Sequence, residues 1–252
     1  MAEGEAHGDP RGACVMPLTL DLLLPAPAVE HGTPARLHAV ACSLLEGEGG
    51  HRTQVKPWTA WPLRDADATG VAWRLTWLAD GHVPPAMLEP PLQLRLGPAD
   101  LRVHRAELAA VEYEEVAQAP PAGGAGFHLV TPTYFNREGT DVVLPEPTLL
   151  LGSLLRRWNL FAPAPLRFGP EDRGALLEHA RVSQFDLRTV RTSTVRGVPR
   201  RGAVGSVEVD LPRRSPTRSR EVLGVLTAAA ELLGAGRATT SGSGVVLGRP
   251  KG

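Results

Sequence analysis

The sequence predicts an α+β chain in which one order of elements occurs twice: strand, helix, two strands, helix, strand. Apolar residues alternate in the predicted strands and recur at helical spacing in the predicted helices. A segment rich in proline, glycine and alanine, Ala117–Gly126, separates the two occurrences and is typical of a linker or surface loop. This order fits two ferredoxin-like folds in tandem.

The first half is predicted to begin with a strand and to continue into a helix, Ala35–Glu46. Pro34 fits the first turn of that helix because its fixed φ is already helical and its missing N–H is not needed there. A short helix interrupted by prolines is predicted within Val83–Pro91. The predicted strands of this half are Val15–Leu24, Lys56–Leu63, Val71–Leu78, Leu92–Leu96 and Arg102–Val116.

The second half repeats the order with longer and more regular elements. Its predicted helices are Glu146–Trp158, which ends in a basic turn, and Arg218–Leu233, which has one continuous apolar face. Its predicted strands are Gly126–Pro132, Val182–Thr192, Ala203–Leu211 and Val245–Leu247. The sequence therefore predicts a loose acidic tail at 1–14, an N-terminal domain at 15–118 and a C-terminal domain at 126–248.

Charge is distributed unevenly along the chain, although the formal net charge is +0. Residues 1–150 hold 10 Lys or Arg against 19 Asp or Glu, whereas residues 151–220 hold 14 against 6. The chain uses arginine almost throughout and has only two lysines, Lys56 and Lys251. This preference explains why arginine replaces lysine, but it does not explain why the excess positive charge is clustered in residues 151–220. The basic stretch therefore indicates an anionic partner.

Neither the cysteines nor the apolar segments indicate an extracellular or membrane protein. Cys14 and Cys42 form no disulfide framework or metal pattern. The apolar run Val15–Val29 contains Asp21 and three prolines and has no basic flank, so it reads as neither a signal peptide nor a membrane span. A soluble cytoplasmic protein is expected.

A glycine-rich stretch, LLGAGRATTSGSGVVLG, lies at 232–248 near the C-terminus. It follows a predicted helix and precedes a strand, which is the reverse of a dinucleotide fingerprint, and it lacks the Gly-Lys-Ser/Thr of a P-loop. A plain interpretation is a helix C-cap at Gly234 followed by a flexible turn. The alternative is a surface whose backbone N–H groups and hydroxyls contact a phosphate backbone.

Three segments of the second half together resemble a known family. They are FHLVTPTYF at 127–135, LPEPTLLLGSLLRRWNLF at 144–161 and the loop GAGRATTSGSGVV. The loop resembles the signature loop of the RAMP superfamily of CRISPR-associated RNA-binding proteins. The three segments, in this order, resemble the CRISPR-associated endoribonuclease that cuts precursor CRISPR RNA within its repeats.

The resemblance implies a RAMP architecture with a C-terminal glycine-rich loop, repeat-RNA binding and metal-independent cleavage without a cofactor. In that reaction the ribose 2′-OH attacks the adjacent phosphodiester, giving a 2′,3′-cyclic phosphate and a 5′-OH. The resemblance is compatible with either a monomer or a homodimer. Other CRISPR effector subunits are candidate partners in addition to the repeat RNA. A non-catalytic RNA-binding RAMP subunit is the alternative, since it would share the fold and the loop.

Metal-free cleavage requires a general base, a general acid and a group that stabilises the phosphorane. His51 opens HRTQVKPW, where members of the family commonly carry a catalytic histidine shortly before a lysine and an aromatic strand. His51 is therefore the preferred acid or base, and Lys56 is the predicted phosphate stabiliser. An ordinary solvated loop histidine remains the alternative for His51.

His38, in the first predicted helix, is the second candidate for proton transfer, and His31, in the loop before that helix, is a weaker third. Some family members place a catalytic His or Tyr on this helix. The matching tyrosine is missing here, and Cys42 or a neighbour stands near its place. This departure leaves the second proton-transfer group open, and a partly buried structural role for His38 is an equal alternative.

The predicted RNA-binding residues lie in the basic stretch and in the glycine-rich loop. RTVRTSTVRGVPRRG at 188–202 reads as an arginine-rich hairpin, with a mobile solvated loop as the alternative. Arg156 and Arg157 alternatively lie on a solvated helix face. The five tryptophans are expected in the core. The candidates are Arg156, Arg157, Arg188, Arg191, Arg196, Arg200, Arg201, Arg213, Arg214, Gly234, Gly236, Arg237, Thr239, Thr240, Ser241 and Gly242.

Overall fold

The computed structural model describes residues 16–46, 55–67, 70–79 and 82–251. The predicted tail at 1–14 and His51 lie outside the described residues. Within these ranges no helix is both long enough and apolar enough to cross a membrane.

The first half is built on one antiparallel sheet. Its strand order is β2-β4-β1-β7, with β3 also paired to β4, which is the order of a ferredoxin-like fold. The strands of this half are β1 (Leu18–Pro25), β2 (Trp58–Ala60), β3 (Arg64–Asp67), β4 (Gly70–Trp77), β5 (Gln93–Leu96), β6 (Ala99–Arg102) and β7 (Arg105–Ala110). The helices are α1 (Ala28–His31), α2 (Pro34–Leu45), α3 (Pro85–Leu88) and α4 (Tyr113–Ala117).

The second half repeats the same topology. The sheet order β11-β12-β8-β13 is antiparallel throughout, and α5, α6 and α7 accompany it. The strands are β8 (Gly124–Thr133), β9 (Phe135–Arg137), β10 (Thr140–Val142), β11 (Arg181–Ser193), β12 (Pro199–Asp210) and β13 (Val246–Pro250). The helices are α5 (Pro147–Phe161), α6 (Pro170–His179) and α7 (Thr217–Leu233). The chain is thus the predicted tandem ferredoxin-like fold.

Local sequence explains the regular elements. Strand β1 alternates buried leucines with partly exposed residues, as a half-buried strand requires. Helix α2 begins with the cap Thr33, whose hydroxyl accepts the Arg36 N–H at 3.4 Å, and Pro34 occupies its first turn. Helix α7 ends at Gly234, which has φ +63° and donates its N–H to the Ala230 carbonyl, as predicted for a C-cap.

Several parts of the secondary structure differ from the prediction, including the one-turn helix α1 and strand β3, which were not predicted. The predicted strand Arg102–Val116 ends early, because residues 113–117 form α4, whose acidic first turn suits a helix N-terminus. The short helix predicted within Val83–Pro91 is present as the single turn α3, but strand β6, which pairs with β5 in a hairpin, is absent from the prediction. Helix α6 and the β9–β10 hairpin are absent from the prediction; α6 buries only Leu176 fully, so it carries little periodic signal.

Each half has its own hydrophobic core, and the two halves touch along β2, β4 and α7. The first core lies between residues 18 and 101 and the second between 78 and 246. All five tryptophans are buried, as predicted. The Thr59 hydroxyl donates to the Leu232 carbonyl at 3.3 Å, and Arg74 pairs with Glu231 across the same boundary. These contacts hold β2 of the first half against the glycine-rich end of the second.

Candidate active site

A cleft of about 160 Å³, here called the Lys56 cleft, lies where the two halves meet. One wall comes from the residues before β2, the second from the last turns of α5, and the third from the glycine-rich loop. The lining residues are Val55, Lys56, Arg156, Arg157, Leu160, Ala238, Thr239 and Thr240. Three of its side chains are cationic, so the cleft suits an anion.

Lys56 is held in this cleft by a buried carboxylate. Its ammonium donates to Glu46 Oε2 at 2.7 Å, and the Trp58 indole N–H donates to Glu46 Oε1 at 3.0 Å. The Glu46 side chain is only 4% exposed and follows the last residue of α2, where the helix dipole disfavours a negative charge. Lys56 and Trp58 offset that cost, and the pair fixes the ammonium in place.

His38 lies on α2 and contacts the wall of the Lys56 cleft. Its Nδ1 is 2.9 Å from the Thr240 carbonyl oxygen, which can only accept, so Nδ1 carries a proton. Its Nε2 is 3.5 Å from Cys42 Sγ, and its ring centroid is 5.5 Å from that of Trp58. The structure therefore brings two of the predicted catalytic residues, His38 and Lys56, to one region.

Cys42 stands beside His38 but is poorly suited to proton transfer. Burial, together with the nearby Glu46 carboxylate, raises the pKa of its thiol to about 11. The thiol is therefore neutral near pH 7, and it donates toward Glu46 Oε1 at 3.6 Å. His31 is the last residue of the one-turn helix α1. His51 lies outside the described residues, and its role stays a prediction.

The glycine-rich loop is tightly packed. The Gly236 N–H donates to Ser153 Oγ at 2.9 Å, and the Arg237 N–H donates to the Tyr134 carbonyl at 2.9 Å. Thr239 and Ser241 are buried, whereas Arg237 is exposed and Thr240 lines the Lys56 cleft. Of the predicted loop residues, Arg237 and Thr240 are thus the best placed to meet a ligand, and the glycines set the path of the backbone.

Arg156 and Arg157 occupy different environments, although they are adjacent on α5. Arg156 is exposed and lines both the Lys56 cleft and a larger depression of about 530 Å³ that also includes Arg173 and Arg237. Arg157 is buried, with 8% of its surface exposed, so it does not lie on a solvated helix face. Arg173 is not among the candidates predicted from the sequence, because it lies on helix α6, which the sequence pattern does not predict.

The predicted arginine-rich hairpin is present as the ends of β11 and β12. Arg191 pairs in register with Arg201, and Thr192 with Arg200, next to the turn that contains Arg196. Arg200 donates to Asp141 at 3.1 Å, and Arg237 lies 3.6 Å from the same carboxylate. Asp141 therefore connects the base of the hairpin to the glycine-rich loop.

Arg188, Arg191, Arg196 and Arg201 are exposed on this hairpin, which makes it positively charged, and Arg188 lies on the opposite face of β11 from Arg191. In the described ranges, no group of three or more His, Cys, Asp or Glu side chains is arranged to hold a metal ion.

Comparisons with known proteins agree with the resemblance seen in the sequence. Residues 127–246 match the sequence model of a family described as CRISPR-associated endoribonuclease Cas6. Comparison with curated protein sequences finds no match.

Solved structures extend the likeness to nearly the whole chain. A Cas6 product complex is 28% identical with a TM-score of 0.78, covering 93% of this chain and 99% of that one. A Cas6 substrate mimic complex is also 28% identical with a TM-score of 0.75, covering 93% and 100%. Thermus thermophilus Cas6 is 25% identical with a TM-score of 0.72, covering 94% and 99%. The chain is therefore Cas6-like in its fold and in the sequence of its second half.

Proposed function

We propose that this Cas6-like chain is a metal-independent endoribonuclease that cleaves precursor CRISPR RNA within its repeats to give mature guide RNAs. The observation that carries the proposal is the Lys56 cleft: three cations line a cleft walled by the glycine-rich loop, and His38 adjoins it. The Cas6 structures that this chain resembles include a product complex and a substrate mimic complex, which supports a substrate for this chain as well.

The proposed reaction transfers two protons and breaks one P–O bond. A base removes the proton of the ribose 2′-OH, the 2′-oxygen attacks the adjacent phosphorus, and the bond to the 5′-oxygen breaks. An acid protonates that oxygen, leaving a 2′,3′-cyclic phosphate and a 5′-OH. We assign phosphorane stabilisation to Lys56 and proton transfer to His51, with His38 as its partner.

The hydrogen bonds of His38 limit what it can do in this reaction. Because Nδ1–H donates to Thr240, the neutral ring has its lone pair on Nε2. That nitrogen now faces Cys42, so the ring acts as a base only after Nε2 turns from the thiol toward the cleft. The thiol directs its one proton toward Glu46 Oε1 and donates none to Nε2, but the rotation also costs the hydrogen bond from Nδ1 to Thr240.

The experiment that tests the function is cleavage of end-labelled repeat RNA in excess EDTA, beside a matched RNA with one 2′-deoxy residue at the cut. We expect one cut that survives EDTA and is lost with the 2′-deoxy RNA, since its nucleophile is missing. Tight binding without any cut would instead select a non-catalytic RNA-binding RAMP subunit. Cleavage of the 2′-deoxy RNA at the parent rate would contradict the mechanism.

The arginine-rich hairpin is proposed to hold the repeat RNA through its phosphates. Changing Arg188, Arg191, Arg196 and Arg201 to Gln is expected to weaken binding. The plot of log K against log salt concentration should become shallower by about 3, since each lost phosphate contact reduces the magnitude of the slope by about 0.7–0.9. The measurement is a salt titration of binding to 2′-deoxy repeat RNA.

A matched control for the hairpin variant carries the same change at four exposed arginines of the first half. These residues, on α2 and on β5 to β7, are Arg36, Arg95, Arg102 and Arg105. An equal loss of slope in the control would show that net charge, rather than the hairpin, determines the affinity.

A further inference from the structure

Arg157 carries a buried charge that the fold does not neutralise. It lies on α5 in the wall of the Lys56 cleft, between Trp58 at the start of β2 and the Phe161 ring. Only 8% of its surface is exposed, although it is one of the residues that line the cleft. Buried arginines normally have a carboxylate partner, because an unpaired charge inside a protein is strongly unfavourable.

The contacts of Arg157 are weak. Its Nη2 is 3.5 Å from the Trp58 carbonyl oxygen, the limit of a hydrogen bond, and its guanidinium carbon is 5.5 Å from the Phe161 ring centroid. Its buried Nε donates to no acceptor, and no carboxylate in the described part of the chain pairs with it. At least one N–H of this buried cation is therefore left without an acceptor by the protein.

The surroundings of Arg157 favour an added anion. Burial, reinforced by repulsion from neighbouring Arg156, lowers the pKa of Arg157 to about 10, so the group is still a cation at neutral pH. Lys56 and Arg156 line the same cleft, and neither can neutralise it. An anion that enters the cleft would relieve this repulsion and give the guanidinium an acceptor that the protein does not supply.

We propose that Arg157 is the anchoring cation of a phosphate site in the Lys56 cleft, and that the site takes a backbone phosphate of the RNA at the cut. The planar guanidinium matches two phosphate oxygens, whereas Lys56 supplies a point charge beside them. The identification of the phosphate as part of an RNA backbone rests on the proposed function. The site itself rests on the burial of Arg157, on its place in the lining of the cleft and on its unsatisfied Nε.

The test replaces Arg157 by methionine, which keeps the length and the packing but removes the charge. The RNA-free Arg157→Met protein is expected to melt at least about 2 °C higher than the parent, because an uncompensated buried charge is gone. Its single-turnover cleavage of repeat RNA should nevertheless be about 100-fold slower. For binding of 2′-deoxy repeat RNA to this variant, the slope of log K against log salt concentration should be smaller in magnitude by about 0.7–0.9.

The control is Arg105→Met on β7, the edge of the first sheet farthest from β2. Arg105 is 65% exposed and lies 3.2 Å from Glu107, so its change should affect neither melting nor cleavage. A lower melting temperature with unchanged cleavage and salt slope in Arg157→Met would overturn the proposal, since Arg157 would then be a packing residue. If the methionine variant does not fold, Arg157→Lys replaces it; cleavage at the parent rate would then contradict the site.

Two further arms separate this inference from the proposed function. The first arm measures how far 2′-deoxy repeat RNA raises the melting temperature of each protein. A smaller increase for Arg157→Met than for the parent would support the site even if the parent never cleaves RNA. Inorganic phosphate serves as a second probe: it should raise the melting temperature of the parent more than that of Arg157→Met. Equal stabilisation of both proteins by both probes would exclude a phosphate site at Arg157.

Discussion

Alanine in place of Lys56 is expected to slow single-turnover cleavage of repeat RNA by about 100- to 1,000-fold, with affinity for 2′-deoxy repeat RNA changed by less than about threefold. The ammonium lies in the cleft next to the region that His38 contacts, so its charge acts most on the phosphorane. The measurement is the cleavage rate at saturating enzyme beside a binding titration.

Lys56 also has a structural role, and a second variant separates it from catalysis. Removing Lys56 leaves the Glu46 carboxylate buried beside Trp58, which is expected to destabilise the fold by about 3 kcal/mol. Glu46→Gln in the same chain removes that charge and keeps an acceptor for the indole. Lys56→Ala/Glu46→Gln should therefore regain stability without regaining cleavage.

The only other lysine of the chain supplies the control. Lys251 pairs with Glu208 and Asp210 on the surface, away from the Lys56 cleft. Lys251→Ala should cleave at the parent rate. If the double variant at Lys56 and Glu46 recovers cleavage together with stability, Lys56 is structural and the phosphorane is stabilised elsewhere.

Alanine in place of Gly236 is expected to destabilise the protein by about 2–4 kcal/mol, which lowers Tm by roughly 5–15 °C. Gly236 has φ +78°, and an added Cβ would lie 2.3 Å from the Tyr134 carbonyl oxygen. The loop would have to move, and the hydrogen bonds that join it to Ser153 and Tyr134 would be lost. Thermal and urea unfolding would measure the change.

Gly139 separates the two causes of this loss. It has φ +85° in the β9–β10 turn, but an added Cβ there meets nothing within 4 Å. Gly139→Ala should therefore lose only about 1–2 kcal/mol from backbone strain. If both variants lose the same amount, the close approach of the loop to Tyr134 contributes nothing, and the packed loop described above is wrong.

Much of this fold was predictable because local signals agree with it. The Thr33 cap, the proline after it and the alternation of β1 each specify their element without reference to distant residues. Gly234 likewise marks the end of α7. The helices α4 and α6 were not predicted, because contacts distant in sequence stabilise them more than their own periodicity does. Tyr113, for example, donates from its hydroxyl to the Leu78 carbonyl at 2.7 Å.

The candidate site was less predictable than the fold. Lys56 was identified because lysine is rare in this chain, but the role of Glu46 depends on its burial beside Trp58, and no spacing rule reveals that. The burial of Arg157 did carry a signal. It follows Leu150 by seven residues and Leu154 by three, so it lies on the apolar stripe of α5, and only its charge suggested a solvated face.

The walls of the Lys56 cleft belong to different halves of the chain, and each half has a separate core. Neither half alone can form the cleft, however well it folds. The segment 118–123 joins the halves, but the contacts of β2 and β4 with α7 press the walls together. A chain cut within 118–123 should therefore keep its cleft while the halves stay docked, and an intact chain whose halves separate should lose it. The docking equilibrium, rather than the stability of either core, then determines how much of the protein can hold a phosphate.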